Sequence, residues 1–307
     1  MNNVQYQALN SALSEHIIGK PHQLKLALTC IIANGHLLIE DLPGMGKTTL
    51  SHALAGLFGL QFSRIQFTSD LLPADMLGSN IYNSQTHNFE FRHGPVFSQL
   101  VLADEINRAS PKTQSALLEA MEEKQVSIDG QTFKLPSPFF VIGTQNPSYQ
   151  SGTYPLPESQ LDRFMMRISL GYPDWEAEKA MLSQVAITQD RGTPKAVVCA
   201  DTLVQWQYQA SQVHAADSVI DYILRLVTMS RNTPGYPHAL SPRASKAILI
   251  SAKAWAFMHE RDYVVPEDVQ AVFESVAEHR MRSANIEQAE DTVLSKRLLE
   301  SVDPLAA

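Results

Sequence analysis

Residues 36–50 read HLLIEDLPGMGKTTL. A short apolar run from His36 to Glu40 gives way to a turn. A helical pattern follows, in which Leu50, Leu54 and Leu57 recur on one face before Gly59. Strand, glycine-rich turn and helix, in that order, are what phosphate binding needs. Glycines let consecutive backbone N–H groups turn inward, and the helix N-terminus adds positive potential. In Pro43-Gly44-Met45-Gly46-Lys47-Thr48-Thr49, Lys47 would reach the β- and γ-phosphates of a nucleotide and the Thr48 hydroxyl would hold Mg²⁺. The strict pattern GxxxxGK[ST] asks for glycine where this chain has Asp41. The plainer alternative is a glycine-rich turn with an incidental lysine, but the flanking strand and helix that the motif requires are both present.

Working outward, a second apolar run, Leu100-Val101-Leu102-Ala103, ends in Asp104-Glu105. Open α/β sheets bind ligands at the C-terminal ends of their strands. There Asp104 would hold Mg²⁺, directly or through water, and Glu105 would polarise the water that attacks the γ-phosphate. A third run, Phe139 to Gly143, leads to Thr144-Gln145-Asn146-Pro147. The Asn146 amide could hydrogen-bond both γ-phosphate and water, although Asn-Pro is also a common turn opening. Arg163 stands in Leu161-Asp162-Arg163-Phe164. Arg243 follows Ser241, a helix N-cap, and Pro242, a first helical residue. A cation in a first helical turn opposes the helix dipole, which suggests an anionic ligand. Lone arginines are otherwise usually solvated.

The texture of the chain changes near residue 172. Before it, buried strands alternate with helical segments such as the one opened by Ser110-Pro111, which predicts an α/β doubly wound parallel sheet of the P-loop NTPase kind. After it, strand signals stop. A helix is expected from Asp174 to Leu182, then a Gly/Pro/Asp stretch at 189–194, then long helical patterns. Ala244, Ile248, Ser251, Trp255 and Met258 share one face, and Val269, Phe273 and Val276 another. The expected organisation is a nucleotide-binding core over 1–172 and a smaller all-α lid over 173–307. With 307 residues, about two domains of ~150 is also what length suggests.

Composition excludes several classes. Hydrophobic residues make up 44%, so a core forms without metals or disulfides. The two cysteines, Cys30 and Cys199, are far apart and form no CxxC pair, so neither a disulfide framework nor a cysteine zinc site is expected. Both are read as buried or half-buried thiols. Lys plus Arg is 24 and Asp plus Glu 32, a net charge of −8, which argues against a surface built mainly to coat nucleic acid. No apolar run reaches the ~18 residues of a membrane span, and Met1 to Gln7 has no signal-peptide character. A cytoplasmic protein is expected.

Taken together, these residues resemble the AAA+ ATPases, and within them the MoxR family. The resemblance rests on GHLLIEDLPGMGKTTL (35–50), DLLPADMLG (70–78), HGPVFSQLVLADEINRASPKTQSALLEAMEE (93–123), VSIDG (126–130) and GTQNP (143–147). It continues through LPESQLDRF (156–164), LSPRAS (240–245), RDYVVPEDVQAV (261–272) and EHR (278–280). It implies Walker A at Lys47 and Thr48, Walker B at Asp104 and Glu105, and sensor 1 at Asn146. It also implies a trans-acting arginine finger at Arg163, sensor 2 at Arg243, and an adenine-facing segment at Ile17-Ile18-Gly19. Leu71 to Gly94 and Val126 to Leu135 resemble two family hairpins. Arg108 is a family position that could face a subunit boundary or pin its own loop.

The resemblance further implies ATP and Mg²⁺ as cofactors, a homo-oligomer that is a hexameric ring, and chaperone-like remodelling of a protein client. A von Willebrand factor A domain protein is the client type it suggests. A nucleic-acid motor of the same branch is the alternative, disfavoured by the acidic charge. A nucleotide-dependent switch or small-molecule kinase is a further one, with no NKxD guanine motif and no evident acceptor site.

Overall fold

Buried parallel strands must read as continuous apolar runs, because both faces of the sheet are covered. The computed structural model describes residues 3–146, 153–185, 194–282 and 293–304. The chain begins with α1 (Asn3–His16) and α2 (Pro21–Ile32), followed by β1 (Leu37–Glu40), α3 (Lys47–Leu57) and β2 (Phe62–Gln66). The short α4 (Pro73–Leu77) enters a hairpin of β3 (Gly78–Asn83) and β4 (Asn88–His93). Next come β5 (Leu100–Asp104), α5 (Pro111–Glu123), a second hairpin of β6 (Gln125–Ile128) and β7 (Gln131–Lys134), and β8 (Phe140–Gln145). After α6 (Glu158–Leu161) and β9 (Met166–Ile168), the described residues form α7 (Trp175–Val185), α8 (Ala200–Ser211), α9 (Asp217–Asn232), α10 (Pro242–Met258), α11 (Pro266–Met281) and α12 (Leu294–Glu300).

Five strands make one parallel sheet in the order β2-β5-β8-β1-β9. The three expected strands are its centre. The two edge strands are not evident in the sequence. β2 is FSRIQ, half exposed at the sheet edge, and β9 is only three residues long. Pairing of Glu40 with Gln145, Ala103 with Gly143, and Gln66 with Asp104 brings the C-terminal ends of four strands to one edge.

The two faces of the sheet bury different clusters. Leu38, Val101, Ala103 and Val141 pack with α5 and the hairpin bases. Leu37, Ile39, Leu102 and Ile142 pack with α2 and α3 in a cluster that also takes in Leu203, Tyr222, Ile248 and Phe273 from the C-terminal helices. Those helices therefore share a core with the sheet. Both anticipated caps form: Ser110 Oγ accepts from Thr113 N, and Ser241 Oγ from Ala244 N.

Both hairpins form where the resemblance puts them. The second turns at Asp129-Gly130, with φ of 50° and 79°, as a tight hairpin turn needs. The hairpins lean on each other through an Asn80–Asp129 hydrogen bond of 2.6 Å and stacked Phe91 and Phe133 rings 4.0 Å apart. Cys30 is buried, but Cys199 is exposed, contrary to expectation, because it precedes α8 as its N-cap residue. The Gly/Pro/Asp stretch at 189–194 lies outside the described residues save Pro194. Among the described residues, no helix is long and apolar enough to cross a membrane.

Candidate functional site

The loop between β1 and α3 holds its shape through two glycines. Gly44 and Gly46 have φ of 85° and 86°, a left-handed conformation that residues with a side chain rarely adopt. Lys47, the first residue of α3, is 7% exposed. Its Nζ donates to the Asp41 carbonyl at 2.6 Å and to Asn146 Oδ1 at 3.2 Å. Burial lowers the ammonium's pKa, and the carboxylates of Asp41, Asp104, Glu105 and Glu40 oppose that shift. Thr48 is half-buried beside it, while Pro43, Gly44 and Thr49 are exposed and Met45 half-buried.

Asp41, the departure from the strict loop pattern, has a structural use. Its carboxylate accepts from Ser169 Oγ (2.8 Å), Leu170 N (2.5 Å) and Gly171 N (3.1 Å). The loop is thereby fastened to the chain leaving β9.

At the end of β5, the 7%-exposed Asp104 accepts from Thr144 Oγ1 at 2.6 Å and from Arg64 Nη2 at 2.5 Å. Glu105 takes a left-handed backbone conformation, φ 55°, which turns its side chain away from the strand direction. Its carboxylate receives Asn146 Nδ2 (3.1 Å), Gln66 Nε2 (3.2 Å) and Arg108 (3.0 Å). Asn146 therefore touches Lys47 with one end of its amide and Glu105 with the other. Its own carbonyl accepts from Asn107 Nδ2. Arg108 pairs inside its own chain, where it pins the Glu105 loop.

Lys47, Asp104, Glu105 and Asn146 are thus brought together as the sequence suggests. Sequence reading missed Gln66, Arg64 and the role of Thr144. The first two lie on the unrecognised edge strand, so no spacing signal pointed to them.

The two arginines sit elsewhere. Arg163 pairs with Glu122 at 3.2 Å, and Arg243 pairs with the other oxygen of the same carboxylate. The first-turn cation at Arg243 is thus balanced by a carboxylate at the C-terminal end of α5, where helix dipoles also favour cations. Arg163 Nε is buried without a hydrogen-bond partner. The structure joins Arg243 to Arg163, and not to the Lys47–Asn146–Glu105 network. At the other side of the phosphate loop, Ile17 is buried with its Cδ1 3.7 Å from where a Cβ on Gly46 would stand. Ile18 is half-buried and Gly19 exposed next to it. Pro147 lies outside the described residues.

This geometry can be set beside known proteins. The family described as "ATPase family associated with various cellular activities (AAA)" matches residues 36–166, and the AAA lid domain matches 230–298. The chain is 47% identical to the uncharacterized protein YeaC of Bacillus subtilis over 87% of its length and 85% of that protein. It is 38% identical to Chaperone MoxR1 of Mycobacterium tuberculosis over 93% of its length and 78% of that protein. Among solved structures, a Cytophaga hutchinsonii protein assigned as an ATPase superposes with a TM-score of 0.88 at 38% identity, over 98% of this chain and 94% of that one. Its phosphate loop, its acidic strand end and these relatives along nearly the full length agree: the chain belongs to the MoxR family of AAA+ ATPases and is an ATP hydrolase.

Proposed function

We propose that this ATPase works with ATP and Mg²⁺ in a homo-oligomeric ring, and uses the cycle for chaperone-like remodelling or assembly of a partner protein. The supporting observation is Asn146, which binds Lys47 at 3.2 Å and Glu105 at 3.1 Å. The group suited to phosphate and the group suited to water therefore belong to one network. Lys47 orients the β- and γ-phosphates over the loop from Pro43 to Thr49. Glu105 accepts the proton of the attacking water at its carboxylate, while Asn146 holds water and γ-phosphate in line. Ile17, Ile18 and Gly19 would flank the base.

Thr48 and Asp104 supply the hard oxygen donors that Mg²⁺ combines with phosphate oxygens, so the residues present fit that ion. Bound there, it would neutralise charge on the phosphates. Arg163 would complete the phosphate site of a neighbouring subunit, and Arg243, sensor 2 by the family resemblance, would exchange Glu122 for the γ-phosphate. A trans arginine has a use only where subunits meet, which favours a ring, and the family resemblance makes it hexameric. The same resemblance favours a von Willebrand factor A domain protein as client and the cytoplasm, where ATP is held, as the place of work. The domain division at residue 172 is retained as a functional one, core and lid, although the two share a hydrophobic cluster.

The test is ATP turnover per subunit against protein concentration. It should rise as rings assemble, and Arg163→Ala should lower it about 10³-fold or more. Concentration-independent turnover, unchanged in Arg163→Ala, would rule the ring mechanism out. Affinity capture on Glu105→Gln protein in ATP reads the client. Recovery of nucleic acid in place of protein would overturn the client class.

A further inference from the structure

The segment Glu278-His279-Arg280 of α11 has no part in the nucleotide network, yet all three residues are buried. Glu278 faces α12 and caps it, accepting from Leu294 N at 3.2 Å and Ser295 N at 2.7 Å. His279 and Arg280 face the other way, onto the turn that carries Arg163. Arg280 Nε donates to Asp162 Oδ1 at 2.6 Å. Its Nη2 donates to the carbonyls of Asp162 (3.2 Å) and Phe164 (2.8 Å), and its Nη1 to the carbonyl of Met165 (3.1 Å) and to that of Val276 in its own helix. His279 Nε2 lies 3.2 Å from the Phe164 carbonyl. The second oxygen of Asp162 accepts from Ser241 Oγ at 3.0 Å, and Ser241 is the N-cap of α10.

One guanidinium from the C-terminal helices thus holds the residues on both sides of Arg163. Burying such a charge costs several kcal/mol before its pairing is counted, and apolar residues of similar volume would often be at least as stable. Stability is therefore a poor reason for Arg280. What a planar five-donor fork does, and an apolar side chain cannot, is fix the direction of several carbonyls at once. We propose that Arg280, with Asp162 as its counter-charge, is a positioning residue that aims Arg163 at the nucleotide of the neighbouring subunit. This rests on the ring reading above. It makes the aim of the trans arginine a property of the subunit that carries Arg280, not of the subunit that holds the nucleotide.

The experiment is complementation in mixed assemblies of the full chain. Arg280→Lys keeps the charge but not the fork. Alone it should lose roughly 100-fold in kcat, the scale of a misplacement near 1 Å, with KM within about twofold of the parent. Mixed with Glu105→Gln, which cannot hydrolyse but carries a correctly aimed Arg163, it should regain turnover above both parents. Asp162→Asn, which keeps an acceptor for Arg280, should show the same pattern more weakly and serves if Arg280→Lys does not fold. Glu278→Gln, on the same helix but facing α12, should lower Tm and leave kcat in place.

Arg163→Ala mixed with Glu105→Gln is the control for the ring. If that mixture shows no gain, the ring reading falls and this proposal falls with it. If it gains while the Arg280→Lys mixture does not, Arg280 serves its own subunit's site and only this proposal is overturned. Loss of kcat in Glu278→Gln equal to that in Arg280→Lys would also overturn it, because the effect would then track stability.

Discussion

Lys47 carries its charge into a nearly closed site, held there by neighbouring oxygens more than by water. The Asp41 carbonyl and Asn146 receive its protons, and four carboxylates counter the lowering of its pKa by burial. Lys47→Ala is expected to abolish nucleotide binding, and Glu105→Gln to retain ATP while losing turnover; nucleotide titration and phosphate release separate the two. If Glu105→Gln keeps turnover, the base is wrongly assigned. Asp41→Ala removes the three bonds to Ser169, Leu170 and Gly171. Hydrogen bonds to a charged group contribute about 1.5–3 kcal/mol each, so loosening the loop should weaken nucleotide affinity by roughly 10–100-fold in a fluorescence titration. Asp104, Glu105 and Asn146 were legible because each follows an apolar run, where a polar residue is placed by the strand end itself, and Lys47 because it follows the glycine-rich turn that opens α3. Gln66 and Glu122 were not, since one comes from an edge strand and the other from a helix end. Neither residue type nor spacing shows which partner such a residue will meet.

At the scale of elements, β5 and β8 could be read directly because burial on both faces leaves no polar interruption in either run. The hairpin β6–β7 was expected from the family resemblance alone, and Asp129-Gly130 makes its turn. What periodicity could not supply was the contact between β8 and the turn before β9. A Cβ on Gly143 would stand 2.8 Å from the Phe164 ring, next to Arg163. Gly143→Ala should therefore push Phe164 aside, cost about 1–3 kcal/mol as overpacking does, and shift the denaturant midpoint. An unchanged midpoint would mean that the ring moves freely and that this contact constrains nothing. The C-terminal end of α5 is similar. Its sequence marks a helix, but only folding brings Arg163 and Arg243 to one Glu122 carboxylate.

Across the whole molecule, two histidines lie buried where the parts meet. His36 Nδ1 accepts from Val141 N at 3.0 Å, so its Nε2–H donates to the Met121 carbonyl at 3.2 Å, tying β1, β8 and α5 together. Burial pushes its pKa down to about 4 from 6.5, and burial likewise lowers that of His279 at the junction with α11. Unfolded chains take up a proton at each site below about pH 6.5, which folded chains refuse. The stability His36 contributes is thus fully present above that pH and is lost as pH falls toward about 4, by an amount on the order of 3 kcal/mol. Unfolding free energy measured from pH 7 to 4 should fall, and His36→Gln should flatten that slope; a parallel slope in the variant would assign the loss to other groups. By itself the sequence determined the three central strands, the phosphate loop and the acidic strand end, because apolar period and glycine content are local properties. Only the tertiary structure decided that Asn146 bridges Lys47 and Glu105, that Asp41 anchors the loop, and that the C-terminal helices clamp the turn of Arg163. Those contacts join residues up to 130 positions apart, as in Asp41 with Gly171, and no local pattern encodes a pairing made at such distance.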